Sequence, residues 1–370
     1  MASKVFFTDM RVLPDYGLLE KLDALMKRAG MDNVDFKDKL VAIKITFGER
    51  GNMAYIRPGY IARVVKKIQD LGGKPILVDC NTLYYGMRAN AVDHLETAML
   101  NGFNRIAVGC NVMIADGLTG LDCTEIPINM DYVKNAKIGS VIAAADIIVS
   151  VSHFKGHQGT GFGGALKNVG MGSGSRQGKM EMHAASKPKI LEEKCVACGK
   201  CIQHCPQKAI SYNDNHKACI DYAKCIGCGQ CVATCHYGAA VANYDQESAT
   251  VGKKMAEYAF AVLKGKPNFH INMVMDISPE CDCWSINDLA IAPNVGMAAS
   301  FDPVALDRAC VDLVNQAPSI PGSMLFDKEP YVVGQDKFEH IHPDVSWRDT
   351  LDHAEEIGLG SQDYELVKMK

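Results

Sequence analysis

Short apolar runs alternate with amphipathic stretches along most of the chain. KVFFTD, residues 4 to 9, predicts a strand, and Leu18, Leu19, Leu22, Leu25 and Met26 recur at helical spacing up to Ala29. LVAIKITF, Leu40 to Phe47, is apolar at nearly every position and partly β-branched, the signature of a strand buried on both faces of a parallel sheet. Helical spacing returns over Tyr60 to Leu71 and stops at Gly72 and Gly73, after which KPILVDC reads as the next strand. The alternation continues with a helix over Ala89 to Leu100, NVMIAD as a strand, a helix over Lys137 to Ala145 and the strand DIIVSVSHFK. Beyond Asn243 it resumes with a helix over Lys253 to Leu263 and the strand NFHINMVMDI. A helix then runs to about Val314, with Asp302 as its N-cap and Pro303 at its first position, and a last one spans Trp347 to Ile357. Strands separated by helices predict an α/β fold with a mostly parallel sheet flanked by helices.

Between about Pro188 and Asn243 this pattern breaks. Cys195, Cys198, Cys201 and Cys205 form a CxxCxxCxxxC run, and Cys225, Cys228, Cys231 and Cys235 repeat it. Three thiolates at intervals of three can wrap one face of an iron–sulfur cube, while the fourth points elsewhere. In the bacterial-type arrangement that fourth ligand crosses over. Cys195, Cys198, Cys201 and Cys235 are then expected to hold one [4Fe-4S] cluster, and Cys225, Cys228, Cys231 and Cys205 a second. Gly199, Gly227 and Gly229 suit a backbone that bends closely around such a group. Pro206 marks the end of the first run, where the second has His236. Zinc sites more often come as two separated CxxC pairs, which two complete four-cysteine runs in tandem do not match. The expectation is an α+β, ferredoxin-like, two-cluster unit over 189–243, inserted between the two parts of the α/β domain at 1–188 and 244–370.

Composition narrows the setting. The 370 residues are 48% hydrophobic, enough for a sizeable core, and a formal net charge of −4 suggests neither a nucleic-acid groove nor an anionic membrane surface. No apolar window reaches the length of a membrane span. Fifteen cysteines in a chain this large fit a reducing compartment, and the expected location is cytoplasmic.

In an open α/β sheet, ligands gather beyond the carboxyl ends of the strands. Lys44, Thr46, Glu49, Arg50 and Asn52 stand at or beyond one such end, Asp79, Asn81, Thr82 and Tyr84 beyond the next, and Asp116 beyond a third. The densest group is HFKGHQGTGFGGALKNVGMGSGSRQGK, His153 to Lys179. Its glycines let the backbone approach a ligand, and Lys155, Lys167, Arg176 and Lys179 supply charge for a carboxylate or phosphate. A solvated flexible loop is the alternative, opposed by the apolar Phe154, Phe162, Leu166 and Val169 around His153, His157, Lys167 and Asn168. No GxGxxG opens a helix after the first strand and no GxxxxGK[ST] occurs. His153 and His157 are candidates for acid–base work, with a buried, hydrogen-bonded histidine the competing reading of either. Cys281 and Cys283, in PECDCWS, are a possible extra metal or redox site with His153, His157 or His183 as co-ligands, or else buried structural thiols.

KITFGERGN, DCNTLYYGMR, SHFKGHQGTGFGGALKNVGMG, CDC and SFDPVALDRA together resemble the DUF362 family, in the subgroup that carries an inserted two-cluster ferredoxin domain. The resemblance spans nearly the whole chain and implies architecture more than function. GHQGTGFGGALKN is also similar to the GFSGGxK stretch of lactate racemase A-type proteins, where His and Lys serve a nickel-pincer nucleotide. Here the Ser is absent and Ala165 and Leu166 intervene before Lys167, so the likeness supports a small-molecule site and not that cofactor.

Three functions compete. An iron–sulfur oxidoreductase would exchange electrons between two clusters and an anionic small molecule held by Lys44, Glu49, Asn81, Lys155, Asn168 and Arg176, with His153, His157 and Lys167 catalytic and a ferredoxin or reductase as redox partner. An electron carrier without turnover would dock a partner enzyme. A racemase-like isomerase or lyase would keep its clusters for structure or sensing.

Overall fold

The computed structural model describes residues 2–84, 86–183, 187–205, 207–225, 227, 229–235, 237–242, 247–327 and 331–369. Cys228, Pro206 and His236 lie outside the described residues.

Eight strands form one sheet: β1 (Ser3–Asp9), β2 (Leu40–Lys44), β3 (Lys74–Asp79), β4 (Asn111–Ile114), β5 (Ile147–His153), β6 (Asn268–Val274), β7 (Gly296–Ser300) and β8 (Tyr364–Lys368). Their order is β8-β1-β7-β6-β5-β2-β3-β4. β6, β5, β2, β3 and β4 run parallel, β8 runs parallel to β1, and β7 alone opposes its neighbours β1 and β6. The mostly parallel sheet expected from the apolar runs is present. Its period-two logic is explicit in β5, where Ile147, Val149 and Val151 face one core and Ile148 the other.

Two helical layers cover the faces. Leu22, Leu25 and Met26 of α1 (Leu18–Arg28), Ile61, Val64, Val65 and Ile68 of α2 (Pro58–Asp70) and Ala98 of α3 (Ala91–Leu100) fill the first core. The second core is built by α4 (Ala165–Ser173), α6 (Ser248–Leu263), α7 (Pro303–Gln316) and α8 (Arg348–Glu356), with α5 (Arg176–His183) contributing Met182. Asp302 caps α7 as its sequence predicts, accepting from the Val304 and Ala305 amides.

One expectation needs correction. Lys137 to Ala145 is not one helix: Asn135–Gly139 is a strand paired antiparallel with Cys123–Pro127, and only Ser140–Ala144 is helical. A partner strand satisfies the backbone donors that a helix would have used. The glycine-rich stretch is not an open loop, as its apolar residues imply. After β5 it makes a tight hairpin, Lys155–His157 against Gly161–Gly163, and then α4 and α5.

Residues 187–242 sit between α5 and α6. Among the described residues, Lys189–Ile190 pairs with Ala240–Val241, and Ile210–Tyr212 with Ala218–Ile220. Two short helices, Lys200–Gln203 and Gln230–Thr234, follow left-handed Gly199 and Gly229, so the two cysteine runs share this turn-to-helix step among the described residues. Their shared core includes Cys195, Ile210, Cys231, Val232 and Ala239, together with two residues from outside the segment, Leu83 and Met180.

A cavity at the carboxyl ends of the strands

Beyond the carboxyl ends of β2 and β3 lies a cavity of about 910 Å³. Thr46, Glu49 and Arg50 line it from the segment after β2, and Asp79, Thr82, Leu83, Tyr84 and Arg88 from β3 and the segment after it. The hairpin and α4 contribute His157 and Lys167, α5 contributes Lys179 and His183, and a loop after β6 contributes Cys283 and Trp284.

That loop is pinned through the residue between its two cysteines. Both Asp282 carboxylate oxygens lie 2.9 Å from His153 Nδ1, and Lys155 Nζ is 3.7 Å from Oδ2. The Glu49 amide donates to the Asp282 carbonyl at 2.9 Å. Burial opposes the Asp282 charge, yet His153 and Lys155 hold this carboxyl below its ordinary range. His153 Nε2 faces the carbonyls of Met275 and Asp276 at 2.8 and 3.1 Å. Both ring nitrogens therefore meet oxygen atoms, which fixes the plane of the ring.

With Asp282 turned inward, Cys281 and Cys283 turn toward His157 and Lys167. Lys167 Nζ donates to Cys281 Sγ at 3.0 Å and the Cys283 amide donates to the same sulfur at 3.4 Å. Burial alone would raise the Cys281 thiol; the Cys283 hydrogen bond and the Lys167 and Lys155 charges outweigh it and hold Cys281 well below the usual thiol range. Cys283, giving its proton to that thiolate, is pushed up. The Cys281 thiolate, with Cys283 beside it, raises Lys167 against its own burial. Burial lowers the His157 imidazole, so the ring acts as a neutral partner near pH 7, and His183 is pushed down to about 3 for the same reason.

Several residues expected to bind ligand are engaged elsewhere. Lys44 is fully buried, with Nζ 2.9 Å from Asp79 Oδ1, from Asn168 Oδ1 and from the Ile45 carbonyl. Asn168 returns a 2.8 Å bond to the Lys44 carbonyl. Arg88 pairs with Glu49 Oε2 at 3.3 Å and donates to the Tyr84 hydroxyl at 2.6 Å. Asn81 donates from its amide and its side chain to Asp116 Oδ1, both at 2.9 Å. Arg176 is buried and donates to the Ala89 carbonyl. Of the six proposed ligand residues, Glu49 lines the cavity, whereas Lys44, Asn81, Lys155, Asn168 and Arg176 stand behind its wall. Of the three catalytic candidates, His157 and Lys167 reach the cavity and His153 supports Asp282.

Sequence reasoning passed over Asp282 as more than a spacer, and Arg88 altogether. The local sequence carried no signal for either, because Asp282 sits in a turn closed by the Trp284 amide on the Cys281 carbonyl and meets His153 only in the fold.

The cluster cysteines separate into two groups. Cys195, Cys198, Cys201 and Cys235 line one small cavity, and Cys205, Cys225 and Cys231 another. Amides point at the sulfurs in both halves: Ala209 N to Cys205 and Ala239 N to Cys235 at 3.2 Å, and Ala218 N to Cys195 and Gly227 N to Cys225 at 3.4 Å. Burial, with Cys235, Cys195 and Cys198 nearby, pushes the Cys201 thiol up to about 11 when no cation is present.

The fold and the cavity define a mixed α/β protein with a cysteine-rich segment packed beside a thiol-bearing pocket. The chain belongs to the DUF362 family, a domain of unknown function, whose pattern matches residues 41–312. No curated protein matches it. Among solved structures it is similar to the lactate racemase apoprotein of Thermoanaerobacterium thermosaccharolyticum, with 13% identity and a TM-score of 0.38 over 74% of this chain and 51% of that one. It is also similar to a protein from Thermotoga maritima, with 11% identity and a TM-score of 0.40 over 81% of this chain and 58% of that one. The chain thus spans between half and three-fifths of the length of these two structures. No helix among the described residues is long and apolar enough to cross a membrane.

Proposed function

We propose that the protein is an iron–sulfur oxidoreductase in which two [4Fe-4S] clusters exchange electrons with an anionic small molecule in the 910 Å³ cavity. The observation that carries this reading is the placement of the cysteine-rich segment. Its core includes Leu83 and Met180, and Leu83 also lines the large cavity, so one layer of side chains separates the two. The cysteine groups fit such clusters: thiols converge on small cavities and amides aim at the sulfurs, the second-sphere contacts that tune a cluster. Cys195, Cys198, Cys201 and Cys235 would hold one cluster, and Cys205, Cys225 and Cys231, with Cys228 from the sequence pattern, the other. What the clusters supply is single-electron exchange.

The chain's own residues do the rest. Lys167, a half-buried cation at the cavity wall, attracts a carboxylate or phosphate, and His157 lines the same wall. A cavity of this size favours turnover over a carrier that only docks. Cys198 is exposed beside exposed Val196 and Tyr237, which suits a redox partner such as a ferredoxin or reductase at that side.

The test is reoxidation of the reduced, cluster-loaded protein by a panel of small carboxylates and phosphate esters. At least one should reoxidise it, and Lys167→Ala should slow that reaction about 10- to 100-fold, the loss of one charge-assisted contact, with the cluster spectrum unchanged. Reoxidation unaffected by the substitution, or by every compound of the panel, would contradict the reading.

A further inference from the structure

His157, Cys281 and Cys283 each bring one ligand atom to within 4.8 Å of the other two. They come from two separate segments, the hairpin after β5 and the loop after β6, and those segments are locked together without help. The Gly156 amide donates to the Ser278 carbonyl at 2.9 Å, and Gly156 has no room for a Cβ against the Pro279 carbonyl. Asp282 fixes the loop from behind through His153. Donors held this way are preorganised.

We propose that these three residues form a mononuclear site for a divalent metal of the zinc class, with the fourth position open to the cavity. Two thiols and an imidazole are a borderline-soft donor set, suited to zinc and unsuited to magnesium or calcium. In a tetrahedral site with metal–sulfur and metal–nitrogen distances of about 2.3 and 2.0 Å, the donors stand about 3.5–3.8 Å apart. Ligand atoms within 4.8 Å of one another need to draw in by at most about 1 Å to reach that spacing. Cys281 is wholly buried while His157 and Cys283 line the cavity, so the free position faces the ligand space. Three protein ligands and an open position mark a catalytic site, where structural sites are closed.

The surroundings suit a metal. His157 Nδ1 lies 3.0 Å from Thr160 Oγ1 and 3.1 Å from the Gly159 amide. The Thr160 hydroxyl gives its own proton to the Phe162 carbonyl, so once a metal takes Nε2 its lone pairs can receive the Nδ1–H. The Gly159 amide favours the opposite tautomer, which serves the ring when no metal is bound. Lys167, at 3.0 Å from Cys281 Sγ, hydrogen-bonds the ligand sulfur from outside. A carboxylate or carbonyl of the cavity's occupant would take the open position and be polarised there. This site stands apart from the iron–sulfur clusters, and its test does not depend on them.

Cluster-loaded protein, equilibrated anaerobically with excess zinc and desalted, should retain about one zinc per chain in addition to its iron. X-ray absorption at the zinc edge should show two sulfur neighbours and at least one nitrogen. His157→Gln and Cys283→Ser should each lose the zinc with iron content unchanged, while Lys167→Met, which leaves all three ligands, should keep it. No retained zinc in the unsubstituted protein, four sulfur neighbours from the cluster cysteines, or a Cys281–Cys283 disulfide in the purified chain would each overturn the assignment.

Discussion

Asp282 is the residue on which the geometry of the cavity turns. Its carboxylate joins His153 and Lys155, its carbonyl receives the Glu49 amide, and its neighbours Cys281 and Cys283 face the other way. Asp282→Ala leaves the buried Lys155 cation and His153 without their carboxylate and should cost about 3–5 kcal/mol of unfolding free energy, measured by urea titration. A loss below about 1 kcal/mol would show that the pair does not hold the loop. Asp116 makes a second residue-scale prediction. Burial pushes its carboxyl up to about 6 despite nearby Lys179, and Oδ2 has no hydrogen-bond partner among the described residues. A carboxyl raised on folding stabilises when protonated, so its contribution is complete below about pH 4 and is lost as pH rises to about 6. Relative to Asp116→Asn, the protein should lose about 2–3 kcal/mol across that interval, and parallel pH profiles would refute it. Residue types at this scale were legible: His157, Lys167, Cys281 and Cys283 stood out in the sequence, and they meet. Their partners were not legible, because a buried lysine such as Lys44 and a ligand-facing one such as Lys167 differ only in what the fold sets against them.

At the scale of elements, the parallel strands were readable because burial on both faces leaves uninterrupted apolar runs. α4 was not. Its N-terminus follows Gly164, which has no side chain to cap it, and the Ala165 and Leu166 amides are instead taken by Asp307 of α7 at 2.7 and 2.9 Å. A cap from 142 positions away leaves no local trace. β7 and β8 escaped for a related reason: GMAAS and YELVK are short, and pairing, not composition, makes them strands. The hairpin that carries His157 makes a prediction of its own. Gly156→Ala sets a methyl against the Pro279 carbonyl and must part the hairpin from the loop. It should cost about 1–3 kcal/mol and abolish zinc retention together. A variant that keeps full zinc content would show that the contact between the two segments is unimportant.

At the scale of the molecule, the cysteine-rich segment is joined to the sheet domain through α5, which carries Met180 into the segment's core and Lys179 and His183 to the cavity. Met180→Ala should loosen that junction, seen as faster hydrogen exchange over 187–242 with β2, β3 and β5 unaffected, at a cost of about 2–3 kcal/mol. Uniform exchange changes across the protein would contradict a local junction. That the segment interrupts the α/β alternation could be read from the chain; that it packs on a wall of the cavity could not, since Leu83 and Met180 are ordinary apolar residues in sequence. The central claim is that this segment holds two adjacent clusters beside the cavity. Electron paramagnetic resonance of the anaerobic, reduced protein tests it most directly. The account predicts a signal broadened by coupling between two [4Fe-4S] centres and integrating to about two spins per chain. An uncoupled signal of one spin, or none, would contradict it.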